Sequence, residues 1–151
     1  VPVPRLDTAI IHVQKASIDG TCSIEGDEFH DIDIAIAAKK CIVTCEELVT
    51  EEEIRKDPSK NSIPQFCVDA VVHTPYGAHP AQCYNYYDYD ANFFKMYDSV
   101  TEEDFKAYLQ EWVYGVKDHT EYIDKLGASR LANLKVVQGF GYAAKLVKEE
   151  K

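Results

Sequence analysis

Apolar runs of strand length alternate with charged, helix-forming stretches through the first half of the chain. Residues 7–14, DTAIIHVQ, are nearly continuous in apolar and β-branched side chains, which predicts a strand buried on both faces of a parallel sheet. Residues 17–20, SIDG, turn it; residues 21–24 form a second short extended piece that Glu25, Gly26 and Asp27 close with turn chemistry. Residues 31–40, DIDIAIAAKK, carry early acids, several alanines and late lysines, so their charges complement a helix dipole and predict a short helix. Residues 41–45, CIVTC, predict the next strand. Thr50 and Glu53 make a T-x-x-E capping box opening a helix that Pro58 stops, and residues 66–72, FCVDAVV, predict a further strand. Strand and helix thus alternate, the pattern of an α/β domain with a mainly parallel sheet flanked by helices.

The pattern changes further on. Residues 101–117 place Phe105, Tyr108, Leu109, Trp112, Val113 and Val116 at spacings of three and four, the apolar stripe of a packing helix. Residues 118–126 predict another short helix with Gly127 at its C-cap. At 151 residues the chain has the length for one core, so a single α/β unit over residues 1–151 is expected. Residues 1–6 read as an extended linker, since each proline pushes its predecessor out of the α region. Opening in mid-linker without methionine, the chain is expected to be a processed product or the second half of something longer. Residues 147–151 read as a frayed tail.

The densest chemistry lies in residues 72–90, VHTPYGAHPAQCYNYYDYD. Pro75 and Pro80 fix φ, Gly77 permits a tight turn, and His79 sits between them on a constrained corner. Tyr84, Tyr86, Tyr87 and Tyr89 follow, each offering stacking area with a polar tip. A ligand site and a buried contact between subunits both fit this composition.

Charge narrows the classes. Sixteen Lys and Arg against 26 Asp and Glu give a net charge of -10, which repels phosphate backbones and argues against nucleic acid. No apolar run approaches the roughly 20 residues that span a bilayer, so no membrane partner is expected. Cys22, Cys41, Cys45, Cys67 and Cys83 are odd in number and lie on or beside apolar segments, which favours reduced thiols and a cytoplasmic location. Beyond strand ends, where open α/β sheets bind ligands, Glu46 and Glu47 offer a carboxylate nucleophile or base. With Glu51, Glu52 and Glu53 they also read as a solvated acidic face. Cys45 with His73 would make a thiolate pair, but no spacing rule joins them. His73, His79 and Cys83 are zinc-type ligands without the paired spacing of a zinc knuckle, so no metal is expected. No glycine-rich phosphate loop is present.

The segments VPVPRLDTAIIHVQ, ASIDGT, IVTCEEL, EEIRKDPSKNSIP, CVDAVV, PYGAHPAQCYNYYDYD, EWV, KDHTEYIDKLGASRL and NLKVV occur in this order. Together they resemble the second half of the A subunits of family I CoA-transferases of the glutaconate type. The resemblance implies the CoA-transferase superfamily fold (NagB/RpiA/CoA-transferase-like). It also implies a two-subunit enzyme of glutamate fermentation that moves CoA from an acyl-CoA such as acetyl-CoA to glutaconate or a related dicarboxylate. In that family the thioester is attacked by a glutamate of the B subunit, giving a mixed anhydride and then a glutamyl-CoA thioester. No catalytic residue is therefore expected in this chain, and Glu46 and Glu47 belong to the IVTCEE segment of the A subunits themselves. The implied partners are the N-terminal half of the A subunit, which carries a G-G-F stretch, together with the B subunit. A coenzyme A thioester is the substrate, and no cofactor is permanently bound. Tyr76, Gly77, Ala78, His79, Pro80, Cys83, Tyr84, Tyr87, Asp88, Tyr89 and Asp90 match the family pattern. Among them Tyr76, Gly77, His79, Tyr84, Tyr87 and Asp88 are the implied substrate-binding or interface set. The rivals are a CoA-thioester hydrolase or lyase on the same scaffold and a non-catalytic interaction module.

Overall fold

The computed structural model describes residues 5–137 and 140–143. The chain forms two compact units, Val1–Gly77 and Ala78–Lys151. The first holds the sheet: β1 (Leu6–Ser17), β2 (Cys22–Ser23), β3 (Ala38–Val49), β4 (Asn61–Ile63) and β5 (Ala70–His73), with α1 (Asp31–Ala37) and α2 (Glu51–Ile54) between strands. Strand order is β4-β2-β1-β3-β5. β1, β3 and β5 run parallel, and β2 and β4 pair antiparallel at one side.

The core lies on one sheet face, where Ala9, Ile11, Val13, Cys41, Val43 and Cys45 pack with Ile32 and Ala35 of α1. Alternation along a strand sends their neighbours to the opposite face. There Ile10 is 73% exposed, so β1 is not buried on both faces as expected. The helix expected over residues 31–40 stops at Ala37, because Ala38 turns extended and β3 pairs in parallel from Leu6↔Ala38 onward. Lys39 and Lys40 therefore open a strand, and Lys39 pairs with Asp7 at 2.6 Å. The strand expected over residues 41–45 extends from Ala38 to Val49 and takes in Glu46 and Glu47. That expected over residues 66–72 is shortened at its start: residues 65–67 form a 3-10 turn, with the Cys67 N–H donated to the Pro64 carbonyl. The capping box holds, with Thr50 Oγ1 accepting from the Glu53 N–H at 3.2 Å. Leu6, given to the linker, already belongs to β1; residues 1–4 and the tail 147–151 lie outside the described residues.

Within its described residues the second unit is helical: α3 (Ala91–Asp98), α4 (Phe105–Leu109), α5 (His119–Leu126) and α6 (Ala128–Leu134). The sequence pattern gives no sign of α3. Its cap is Asp90, whose Oδ1 accepts from the Phe93 N–H at 3.0 Å. The apolar stripe of residues 101–117 packs in part: Trp112 stands edge-on to Phe93 (4.8 Å between centroids) and Tyr108 meets Tyr97 at 5.2 Å. Phe105 and Val113 stay exposed. A π-helical turn over Gln110–Tyr114 follows α4 and rotates the stripe off its 3.6-residue period. α5 begins and ends as expected, with Asp118 accepting from the Glu121 N–H and Gly127 at φ 85°.

Candidate functional site

Residues 72–90 span the boundary between the two units. In the first unit β1 and β3 carry His12, Thr44 and Glu46 on one sheet face, with His12 paired opposite Thr44. His12 Nε2 lies 2.7 Å from Glu46 Oε1, and Nδ1 lies 2.8 Å from Thr44 Oγ1. Glu46 Oε2 accepts the Tyr76 N–H at 2.9 Å, which anchors a residue held at φ 61°. Gly77 closes over the imidazole: a Cβ there would stand 2.8 Å from His12 Nδ1 and from the Thr74 carbonyl oxygen. Glu46 is therefore a buried, hydrogen-bonded carboxylate and not part of a solvated acidic face. Glu47, the next residue, is exposed with Lys15 beside it at 3.8 Å.

In the second unit His79 is buried between Phe93 and Tyr122, whose rings stand edge-on at 5.1 and 5.8 Å. His79 Nε2 lies 3.1 Å from Asp90 Oδ2, and Nδ1 lies 2.6 Å from the Tyr122 hydroxyl. A carboxylate only accepts, so Nε2–H donates to Asp90, and in the neutral imidazole Nδ1 accepts from the Tyr122 hydroxyl. Burial pushes the His79 value down, outweighing the raising influence of Asp90, and burial lifts the Tyr122 phenol to about 12. Burial alone would raise Asp90. Hydrogen bonds from Arg130 Nε, His79 and the Phe93 N–H overcome it and hold the carboxyl at about 2.

The other sequence candidates divide by burial. Tyr87 is enclosed, its hydroxyl accepting from the Ala78 N–H at 3.0 Å while its backbone exchanges hydrogen bonds with Cys83. Asp88 is buried, its N–H donated to the Leu134 carbonyl and its carboxylate accepting from the Ala143 N–H. Tyr84 and Tyr89 face solvent. Beside them an open cleft of about 270 Å³ is lined by Asp88, Tyr89, Asp90, Lys95, Arg130 and Asn133. Its two acids offset its two bases, so it has no net pull on a carboxylate or phosphate.

Thiol chemistry finds little support at Cys22, Cys41 and Cys45, and metal ligation little at His73 and His79. Burial pushes the Cys22 thiol to about 12 and also raises Cys41 and Cys45. The His73 Nε2–H is donated to the Glu46 carbonyl at 3.0 Å, and both nitrogens of His79 are engaged. Sequence reasoning misses the His12–Glu46 pair and the roles of Tyr122 and Arg130. The period-2 spacing of Thr44 and Glu46 is a usable signal for the first, whereas nothing in spacing links positions 79, 90, 122 and 130.

Residues 1–74 match the family model for Coenzyme A transferase. This sheet-bearing segment is similar to that family. Similarity extends through the whole chain: the glutaconate CoA-transferase A subunit of Acidaminococcus fermentans is 62% identical over 100% of this chain and 48% of its own length. The crystal structure of glutaconate coenzyme A-transferase from that organism matches with a TM-score of 0.94 over 99% of this chain and 48% of the other. The decarboxylase AibA/AibB, solved as a cysteine-to-serine variant, matches with a TM-score of 0.64 at 30% identity, over 76% of this chain and 41% of its own. The chain spans about half the length of the curated transferase relative it matches. The resemblance and the α/β fold read from the sequence both hold.

Proposed function

We propose that this chain forms the C-terminal half of the A subunit of a heteromeric CoA-transferase, moving CoA from an acyl-CoA such as acetyl-CoA to glutaconate or a related dicarboxylate. The observation that carries this reading is 62% identity across the full chain to the A subunit of a glutaconate CoA-transferase. The nucleophile is a glutamate of a partner B subunit, and covalent glutamyl-CoA formation there splits one difficult acyl transfer into easier steps. The state of this chain's own candidates supports that assignment. Glu46 is occupied by His12 and the Tyr76 N–H, and the Cys45 thiol is buried with its pKa raised. The CoA thioester enters as substrate, with no resident cofactor, no metal and no nucleic acid. The five free cysteines suit a reducing cytoplasm, where glutamate fermentation would run. Within residues 72–90 the interface or substrate-binding set is Tyr76, Gly77, His79, Tyr84, Tyr87 and Asp88, of which Tyr84 is exposed and His79, Tyr87 and Asp88 are buried.

The test joins this chain to the remaining half of the A. fermentans A subunit, adds the B subunit, then assays CoA transfer from acetyl-CoA to glutaconate. Transfer is expected with all parts present. Full activity without that remaining half would overturn the view that this piece is insufficient. The decarboxylase match at 30% identity favours one rival, a lyase on the same scaffold. Carbon dioxide release without transfer would establish that rival, and free acid alone would establish a hydrolase. Association lost in Tyr84→Ala, with turnover per assembled complex unchanged, would support a purely interacting role for the loop.

A further inference from the structure

We infer that the sheet face carrying Thr8, Ile10, Ile42, Ala70 and Val72 is the packing surface for the half of the A subunit that this chain does not span. Parallel sheets occur almost only with both faces covered. Here one face of β1, β3 and β5 is packed against α1, while on the other Ile10 is 73% and Val72 45% exposed. The register makes the bare face continuous: Ile10 is opposite Ile42, Ile42 opposite Ala70, and Thr44 opposite Val72. Among the described residues only its carboxyl end is closed, where the Tyr76–Gly77 turn lies over His12 and Glu46. β5 adds a free edge: among the described residues it pairs with β3 alone. The occupant follows from length. The matched transferase polypeptide is about twice as long as this chain, so its other half is large enough to supply the missing layer.

This inference rests on the reading of the chain as half of an A subunit, and its test needs no turnover. Ile10→Cys and Val72→Cys are compared with Lys56→Cys, an exposed site beyond α2, by timed maleimide labelling and mass spectrometry. Three preparations are used: this chain alone, this chain joined to the remaining half of the A. fermentans polypeptide, and that full-length fusion with its B partner. Silent Cys22, Cys41 and Cys45 report native folding, and Thr8→Cys replaces any variant that loses it. The expected result is labelling of Ile10→Cys and Val72→Cys as fast as Lys56→Cys in the chain alone, then at least roughly 10-fold slower in the full-length fusion without B. Three outcomes overturn the inference: no protection in the full-length fusion, protection that appears only with B, or protection already present in the chain alone, where its own second unit would be the cover. Protection without CoA transfer would discard the activity and leave the packing surface standing.

Discussion

Replacing Asp90 by asparagine removes the charge at the centre of the buried network of the second unit. Asparagine has one acceptor oxygen where Asp90 uses two, so it keeps either the α3 cap or the bond from His79, and in both cases the ionic partner of Arg130 is lost. In the folded chain the Asp90 carboxyl is held at about 2 against an ordinary 3.8. At about 1.4 kcal/mol per pH unit this corresponds to about 2.5 kcal/mol, reduced to about 2 kcal/mol because Arg130 is partly solvated. Asp90→Ala also removes the cap and leaves donors of His79 and Arg130 without their acceptor, raising the cost to about 3–4 kcal/mol. Because the folded value lies below the unfolded one, Asp90's stabilisation is complete above about pH 4 and fades as pH falls toward about 2. His79 is also depressed, so below about pH 6.5 the unfolded chain takes up its proton first and stability declines further. Denaturant unfolding followed by the fluorescence of Trp112, which packs on Phe93 and Tyr122, reads all of these effects. An Asp90→Asn variant within about 0.5 kcal/mol of the parent at pH 7, or one losing stability in parallel with it between pH 4 and 2, would refute the reasoning.

Other expectations concern the first unit and the turns. Gly77→Ala drives a Cβ against His12 and the Thr74 carbonyl and should cost about 1–3 kcal/mol, measured as a lowered melting temperature. Gly127→Ala meets no atom within 4 Å, so its cost, about 1–3 kcal/mol, should be backbone strain alone at φ 85° and ψ 143°, and a variant as stable as the parent would contradict that account. Glu46→Gln keeps an acceptor for Tyr76 but weakens the link to His12, so limited proteolysis at residues 74–78 should accelerate several-fold, and an unchanged rate would count against the anchor. Iodoacetamide at pH 8 should modify Cys67 well before Cys22, Cys41, Cys45 or Cys83, with mass spectrometry as the readout.

Much of the fold is legible in the sequence because it rests on local rules. Thr50 with Glu53, and Asp118 with Gly127, are capping signals that need nothing distant, and the alternating apolar runs announce the parallel strands. Where tertiary pairing decides, sequence reasoning slips. The lysines after α1 complement a helix dipole, yet ladder hydrogen bonds to β1 draw them into β3. α3 is hidden because its cap, Asp90, closes a tyrosine run that reads as loop. Glu46 looks like one acid in a solvated cluster, and only the parallel register brings His12 within 2.7 Å of it. Of the loop residues singled out, His79, Tyr87 and Asp88 turn inward and Tyr84 outward, a division that composition alone does not encode.

The two-sided fixation of the His79 ring, between a carboxylate on one nitrogen and a phenol on the other, makes it a spectator in any proton traffic. Taking a proton at Nδ1 would put a charge on a buried ring and reverse its bond with the Tyr122 hydroxyl, so an inflection near pH 6 in a rate profile of the assembled enzyme would belong to another group. Its two ring nitrogen resonances, one protonated and one bare, should stay distinct and unmoved across neutral pH, which makes this histidine an internal gauge of whether the second unit is folded.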